Sequence, residues 1–125
     1  MRLELGQPLI EIGKPLTLKC RMGHKININL TRQWTGGQQN RLLCFNGVTI
    51  DPVKYKEEFH LPDTFTLRIN ETTETDLDCA YSCRLGFESD EKILTVTEQN
   101  FLCKYESIFF LIMIIHLKVP GHLYG

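Results

Sequence analysis

Asp76-Leu77-Asp78-Cys79-Ala80-Tyr81-Ser82-Cys83 decides how the rest of the chain is read. It is an acidic turn that runs into a Tyr-x-Cys, and two residues upstream give it meaning. Cys20 closes the alternating run Leu16-Thr17-Leu18-Lys19-Cys20, and Trp34, the only tryptophan, follows it. Alternation of that kind marks a half-buried strand, with Leu16, Leu18 and Cys20 on one face. Cys20 and Cys83 stand 63 residues apart.

Strand and turn signals continue along the chain. Leu9-Ile10-Glu11-Ile12 is an apolar run closed by Gly13-Lys14-Pro15, and it is expected to be the edge strand before Leu16–Cys20. Residues 21–28 read as a loop. Asn29 to Trp34 is expected to be a strand with Leu30, Arg32 and Trp34 on one side. Thr35 to Asn40 contains Gly36-Gly37 and reads as a turn, Arg41 to Phe45 as a strand, and Asn46-Gly47 as a hairpin reversal. Residues 48–52 cross toward a second sheet. Lys54 to Leu61 fits a strand or one helical turn, and the pattern alone leaves both open. Phe65-Thr66-Leu67-Arg68-Ile69 is the cleanest alternation, with Phe65, Leu67 and Ile69 inward. Cys79 to Arg84 is the next strand, residues 85–91 a loop, and Lys92 to Thr97 the last strand.

Taken with Leu-Cys-Phe-Asn-Gly at 43–47, Phe-Thr-Leu-Arg-Ile at 65–69 and Tyr-Ser-Cys-Arg-Leu-Gly-Phe-Glu-Ser at 81–89, this framework resembles the immunoglobulin superfamily. The likeness is to the divergent domains of invertebrate surface and secreted proteins, and it covers roughly residues 5–97. The stretch between Trp34 and Phe65 leaves room for extra strands, which makes the resemblance one to variable-type domains.

The resemblance implies an all-β antiparallel sandwich of immunoglobulin type, with a Cys20–Cys83 bridge between the sheets. Trp34 would pack on the bridge, and the Tyr81 hydroxyl would bond back to the backbone at the preceding corner. Two positions depart from the pattern. Arg32 stands where such domains carry an aliphatic residue, so either the strand bulges or Arg32 snorkels to the core edge. The aspartate usual six residues before the second cysteine is here Leu77, with Asp76 and Asp78 on either side.

The totals bound the rest. One hundred and twenty-five residues make about one domain. The domain is expected over 1–98 and a non-domain tail over 99–125. A net charge of −1 argues against a nucleic-acid partner. Five cysteines in so short a chain point to an oxidising compartment, hence an extracellular protein, secreted or at the cell surface. No signal peptide is visible at Met1–Pro8, and the expectation is an incomplete gene model. In the tail, the apolar run at 108–115 is short of the roughly 20 residues a spanning helix needs. A truncated anchor, a packed segment and read-through sequence all remain open.

Cys44 and Cys79 are expected on neighbouring parts of one sheet, either as a second bridge or as two buried thiols. Cys103 is the odd one. Asn29-Leu30-Thr31 and Asn70-Glu71-Thr72 are glycosylation sequons, Asn70 being favoured because it lies at a turn.

No catalytic constellation is present in the sequence, so an enzyme is not expected and no cofactor is implied. His24, without a second donor at ligand spacing, reads as a solvated loop histidine. The functional expectation is a recognition module that binds a protein or glycan in adhesion or immunity. Its candidate contacts are Arg41, Arg84 and Phe87, residue types enriched at binding hot spots; Phe87 against the sheet edge is the plainer reading of that residue. The alternative is a spacer or homodimerising domain of a longer receptor.

Overall fold

The computed structural model describes residues 1–102. The tail's apolar run and Cys103 therefore lie outside the described residues. The described chain forms β1 (Arg2–Leu5), β2 (Leu16–Arg21), β3 (Arg32–Gly36), β4 (Arg41–Phe45), β5 (Val48–Thr49), β6 (Tyr55–His60), β7 (Thr64–Ile69), β8 (Cys79–Leu85) and β9 (Glu88–Leu94). One sheet has the order β1-β2-β7-β6 and the other β5-β4-β3-β8-β9. Every ladder is antiparallel.

The two sheets meet because each strand has an apolar side to bury. Leu16, Leu18 and Cys20 of β2 and Phe65, Leu67 and Ile69 of β7 face Trp34 of β3 and Tyr81, Cys83 and Leu85 of β8. Trp34 is completely buried and meets Phe65 edge to face, ring centroids 5.5 Å apart. Cys20 and Cys83 are joined across the sheets with Cα atoms 6.4 Å apart. Burying one large apolar side chain stabilises by about 1.5–3 kcal/mol, so this cluster carries much of the fold.

The corner before β8 explains how Leu77 replaces the expected aspartate. The Tyr81 hydroxyl donates to the Asp76 carbonyl at 2.7 Å. Burial pushes that hydroxyl's pKa far up, so it stays a donor. Asp76 itself takes the ionic role one residue early: its Oδ1 pairs with Lys54 Nζ at 2.9 Å, and Oδ2 accepts from the Thr73 N–H at 2.9 Å. Leu77 then turns into the core, and Asp78 follows at φ +56, a left-handed position that aspartate tolerates.

Three expectations are corrected. The edge strand is Arg2–Leu5 and not the run at Leu9–Ile12. Pro8 has no N–H to give a ladder. From there the Gln7 side chain substitutes, accepting from the Thr17 N–H at 2.9 Å and donating to the carbonyls of Leu9 and Pro15. Ile10 is buried against Phe101 through a single parallel bridge, so packed chain continues past residue 98. Second, β3 begins at Arg32 because residues 28–30 form a turn, in which Asn27 Oδ1 accepts from the Asn29 N–H. Third, the loop expected over 85–91 is a two-residue hairpin: Leu85 pairs with Glu88, and Gly86 at φ +60 makes the reversal.

Of the two readings left open for Cys44 and Cys79, the structure gives separate buried thiols and not a bridge. They sit on β4 and β8, on opposite sides of β3. Two strand spacings put them about 10 Å apart sideways, beyond the roughly 7 Å that a bridge spans. The question left open at 54–61 resolves as a strand, β6.

Candidate partner-binding face

Strand alternation sends half of each sheet outward, and the outward residues of the five-stranded sheet form the candidate site. Across its upper row lie Val48, Phe45, Gln33, Arg84 and Ser89, and in the row beneath Leu42, Thr35, Ser82 and Glu91. Ile93 lies below Glu91 on β9, opposite Ala80. The middle of the face is polar, a shallow concavity of about 490 Å³ lined in part by Gln33, Ser82, Arg84 and Glu91. Thr35 and Ser82 hydroxyls hydrogen-bond to one another across it. Its flanks are apolar: Val48 is 74% exposed, Ile93 63%, and Leu42 and Phe45 about two-fifths. Phe87 stands beyond the upper edge at the hairpin tip, fully exposed. It does not pack on the sheet edge.

The three expected contacts are not one group. Arg84 is on the face and Phe87 at its end, but Arg41 is elsewhere. It pairs in register with Gly36 at the other end of the sheet. There it lines a concavity of about 360 Å³ with Lys54, Tyr55 and Asp76. Leu42 and Phe45 escape a regular-strand reading of Arg41–Phe45. Regular alternation would put Leu43 and Phe45 on one side, yet Leu43 and Cys44 are both buried while Leu42 and Phe45 are exposed. A register shift between Trp34 and Thr35 on the neighbouring strand breaks the period. Nothing in the local sequence announces that shift.

Arg32 resolves as a charge held inside the sandwich edge. Its Nε lies 2.9 Å from Glu57 Oε1, and Trp34 Nε1 donates to Glu57 Oε2 at 3.1 Å. The guanidinium stacks 4.4 Å over the Phe59 ring. A carboxylate from one sheet thus binds two donors from the other, and the aliphatic residue expected here is unnecessary.

The remaining candidates are placed as follows. Asn29 is exposed in the turn before β3. Asn70 is half-buried, its Nδ2 donating to the Val53 carbonyl at 2.6 Å, and Thr72 of its sequon is buried with its hydroxyl on the Lys14 carbonyl. His24 Nε2 meets Glu88 Oε2 at 3.0 Å, with both side chains about half exposed. Its pKa is raised, first by the Lys25 carbonyl at Nδ1 and then by Glu88. Burial pushes the Cys44 thiol up to about 11, which leaves little thiolate at neutral pH. No group of three metal-binding side chains occurs among the described residues, and no helix among them is long and apolar enough to cross a membrane.

Two facing antiparallel sheets of four and five strands, a bridge between them, a tryptophan on the bridge and a tyrosine corner define a variable-type immunoglobulin fold. Solved structures agree. The chain is similar to the first immunoglobulin domain of Dpr11, solved bound to DIP-gamma, with a TM-score of 0.60 at 19% identity over 72% of this chain and 96% of that one. It is also similar to the Ig1 domain of mouse SynCAM 2 (TM-score 0.58, 15% identity, 80% and 96% covered). A third is the ZIG-8 IG1 homodimer (TM-score 0.57, 15% identity, 82% and 85% covered). At these identities the likeness is one of fold. No family model matches the chain, and neither does any curated protein.

Proposed function

We propose that this chain is an extracellular recognition domain that binds a protein partner through the outer face of its five-stranded sheet. The observation that carries the reading is the pair of apolar flanks, Leu42, Phe45 and Val48 on one side and Ile93 on the other, left in water on a face with a single Arg84 and a single Glu91. Exposed apolar side chains grouped on one regular surface mark an interaction site. The fold's neighbours support a protein partner, since two of the three were solved as a bound pair or a homodimer.

A second copy of the chain is a specific form of this reading. Arg84 and Glu91 cancel, so two such faces meet without like-charge repulsion. The Cys20–Cys83 bridge fits an oxidising, extracellular setting. Asn29 is the sequon better suited to carry a glycan, because its side chain is exposed while the Asn70 amide is engaged.

The test is a pairwise binding assay of the secreted chain against a panel of immunoglobulin ectodomains that includes the chain itself. Saturable binding that Phe45→Glu and Ile93→Glu each abolish is the expected result. Binding that survives both substitutions would place the contact elsewhere and end this reading.

A further inference from the structure

The overall charge of −1 hides a strongly uneven distribution. On the four-stranded sheet, β1, β2, β7 and β6 turn their apolar residues inward, and the outward positions carry no large apolar side chain. Five of them are cationic, Arg2, Lys19, Arg21, Lys56 and Arg68, against two carboxylates, Glu4 and Glu58, a net +3 (five minus two).

The register makes this more than a basic surface. Arg2 stands directly opposite Arg21, and Lys56 directly opposite Arg68. Like charges opposed across an antiparallel ladder destabilise a sheet. Relief within the chain is partial. Glu4 lies 3.5 Å from both Arg2 and Arg21, one carboxylate shared by two guanidiniums. Lys56 has only Glu58, at 3.9 Å, and neither Arg68 nor Lys19 has an ion pair among the described residues. Two repulsive pairs on one face are a stability cost that negative charge from outside the chain would offset.

We infer that this face binds a sulfated polysaccharide. A flat pleated sheet spaces its cations at about 4.8 Å across strands and about 7 Å along them, a lattice that meets a repeating polyanion without needing a pocket. Thr17, outward beside Arg68, adds a hydroxyl for sugar oxygens. The basic surface stands on the structure alone, while the choice of polysaccharide over nucleic acid or lipid rests on the extracellular reading above.

The experiment uses the full chain, secreted from a host with an added leader, on immobilised heparin under a NaCl gradient. The comparison set is the K56Q/R68Q double variant, K19Q, and R84Q on the opposite face. The wild-type chain and R84Q are expected to elute together at high salt, K19Q earlier, and K56Q/R68Q earliest. Each neutralised cation is expected to lower the slope of log affinity against log salt by about 1. The same double variant is expected to melt ~1–5 °C higher, because it relieves a repulsive pair. Binding lost together with stability gained is the signature of a surface held for a ligand.

Elution of wild type with the void, or identical elution of wild type and K56Q/R68Q, would overturn the inference. So would tighter binding to duplex DNA or to phosphatidylserine vesicles than to heparin. None of these outcomes touches the partner assay on the other face.

Discussion

The two outer faces of this sandwich are built on one frame and obey different rules. On the four-stranded side every large apolar residue turns inward, and what remains outside is ionic and strained by its own register. On the five-stranded side charge is nearly absent, and apolar side chains stand in water at both flanks of a polar middle. The core between them needs neither arrangement. Surface chemistry that the fold does not require is where function is to be sought, since fold and function are separable in this architecture.

The largest effect should come from removing what both faces share. Replacing Cys20 and Cys83 by alanine opens a 63-residue loop in the unfolded chain and should cost about 4 kcal/mol. Denaturant unfolding measures it, and both binding activities should fall together. Next is the clamp at the sandwich edge. Glu57→Ala leaves Arg32 and the Trp34 N–H without their acceptor, for an expected loss of about 3 kcal/mol. A change under about 1 kcal/mol would mean that water replaces the carboxylate freely.

The faces themselves should separate cleanly. Phe45→Glu is expected to move stability by less than about 0.5 kcal/mol while abolishing partner binding. Arg68→Gln should raise stability by about 0.2–1 kcal/mol and leave partner binding intact. Reversal of either pattern would break the contrast between the two faces.

The smallest effect lies at His24, paired with Glu88 next to the hairpin. Its folded pKa is raised, so any stability it adds is fully present below the unfolded value near 6.5 and disappears as pH rises through the folded value. An NMR titration should show the His24 midpoint falling in Glu88→Gln. An unchanged midpoint would show that the Lys25 carbonyl alone holds the proton.

Much of the frame was legible because it rests on local chemistry. The alternation at 16–20 and 65–69, the Tyr-x-Cys and Asn46-Gly47 each determine their own structure, and the observed strands follow them. What escaped depends on partners far along the chain. The register shift that exposes Phe45 is a property of β3 against β4. The inward Arg32 becomes intelligible only once Glu57 is known to face it from the other sheet. The repulsive pairs on the four-stranded face exist only in the register, and the net charge conceals them. The ladder that would have rejected a Cys44–Cys79 bridge is likewise a matter of sheet order.

The hairpin at Gly86-Phe87 has a consequence for how a partner is met. A long connection at this end of a sandwich has to be frozen on binding, at about 0.5–1.5 kcal/mol per immobilised side chain. Here two residues close the turn, and Phe87 is the single side chain at its tip. The contact surface is therefore preorganised, with its geometry set by the sheet before any partner arrives. Association at the five-stranded face should carry a small ordering penalty, and changes of specificity would have to be written in strand residues and not in loop length.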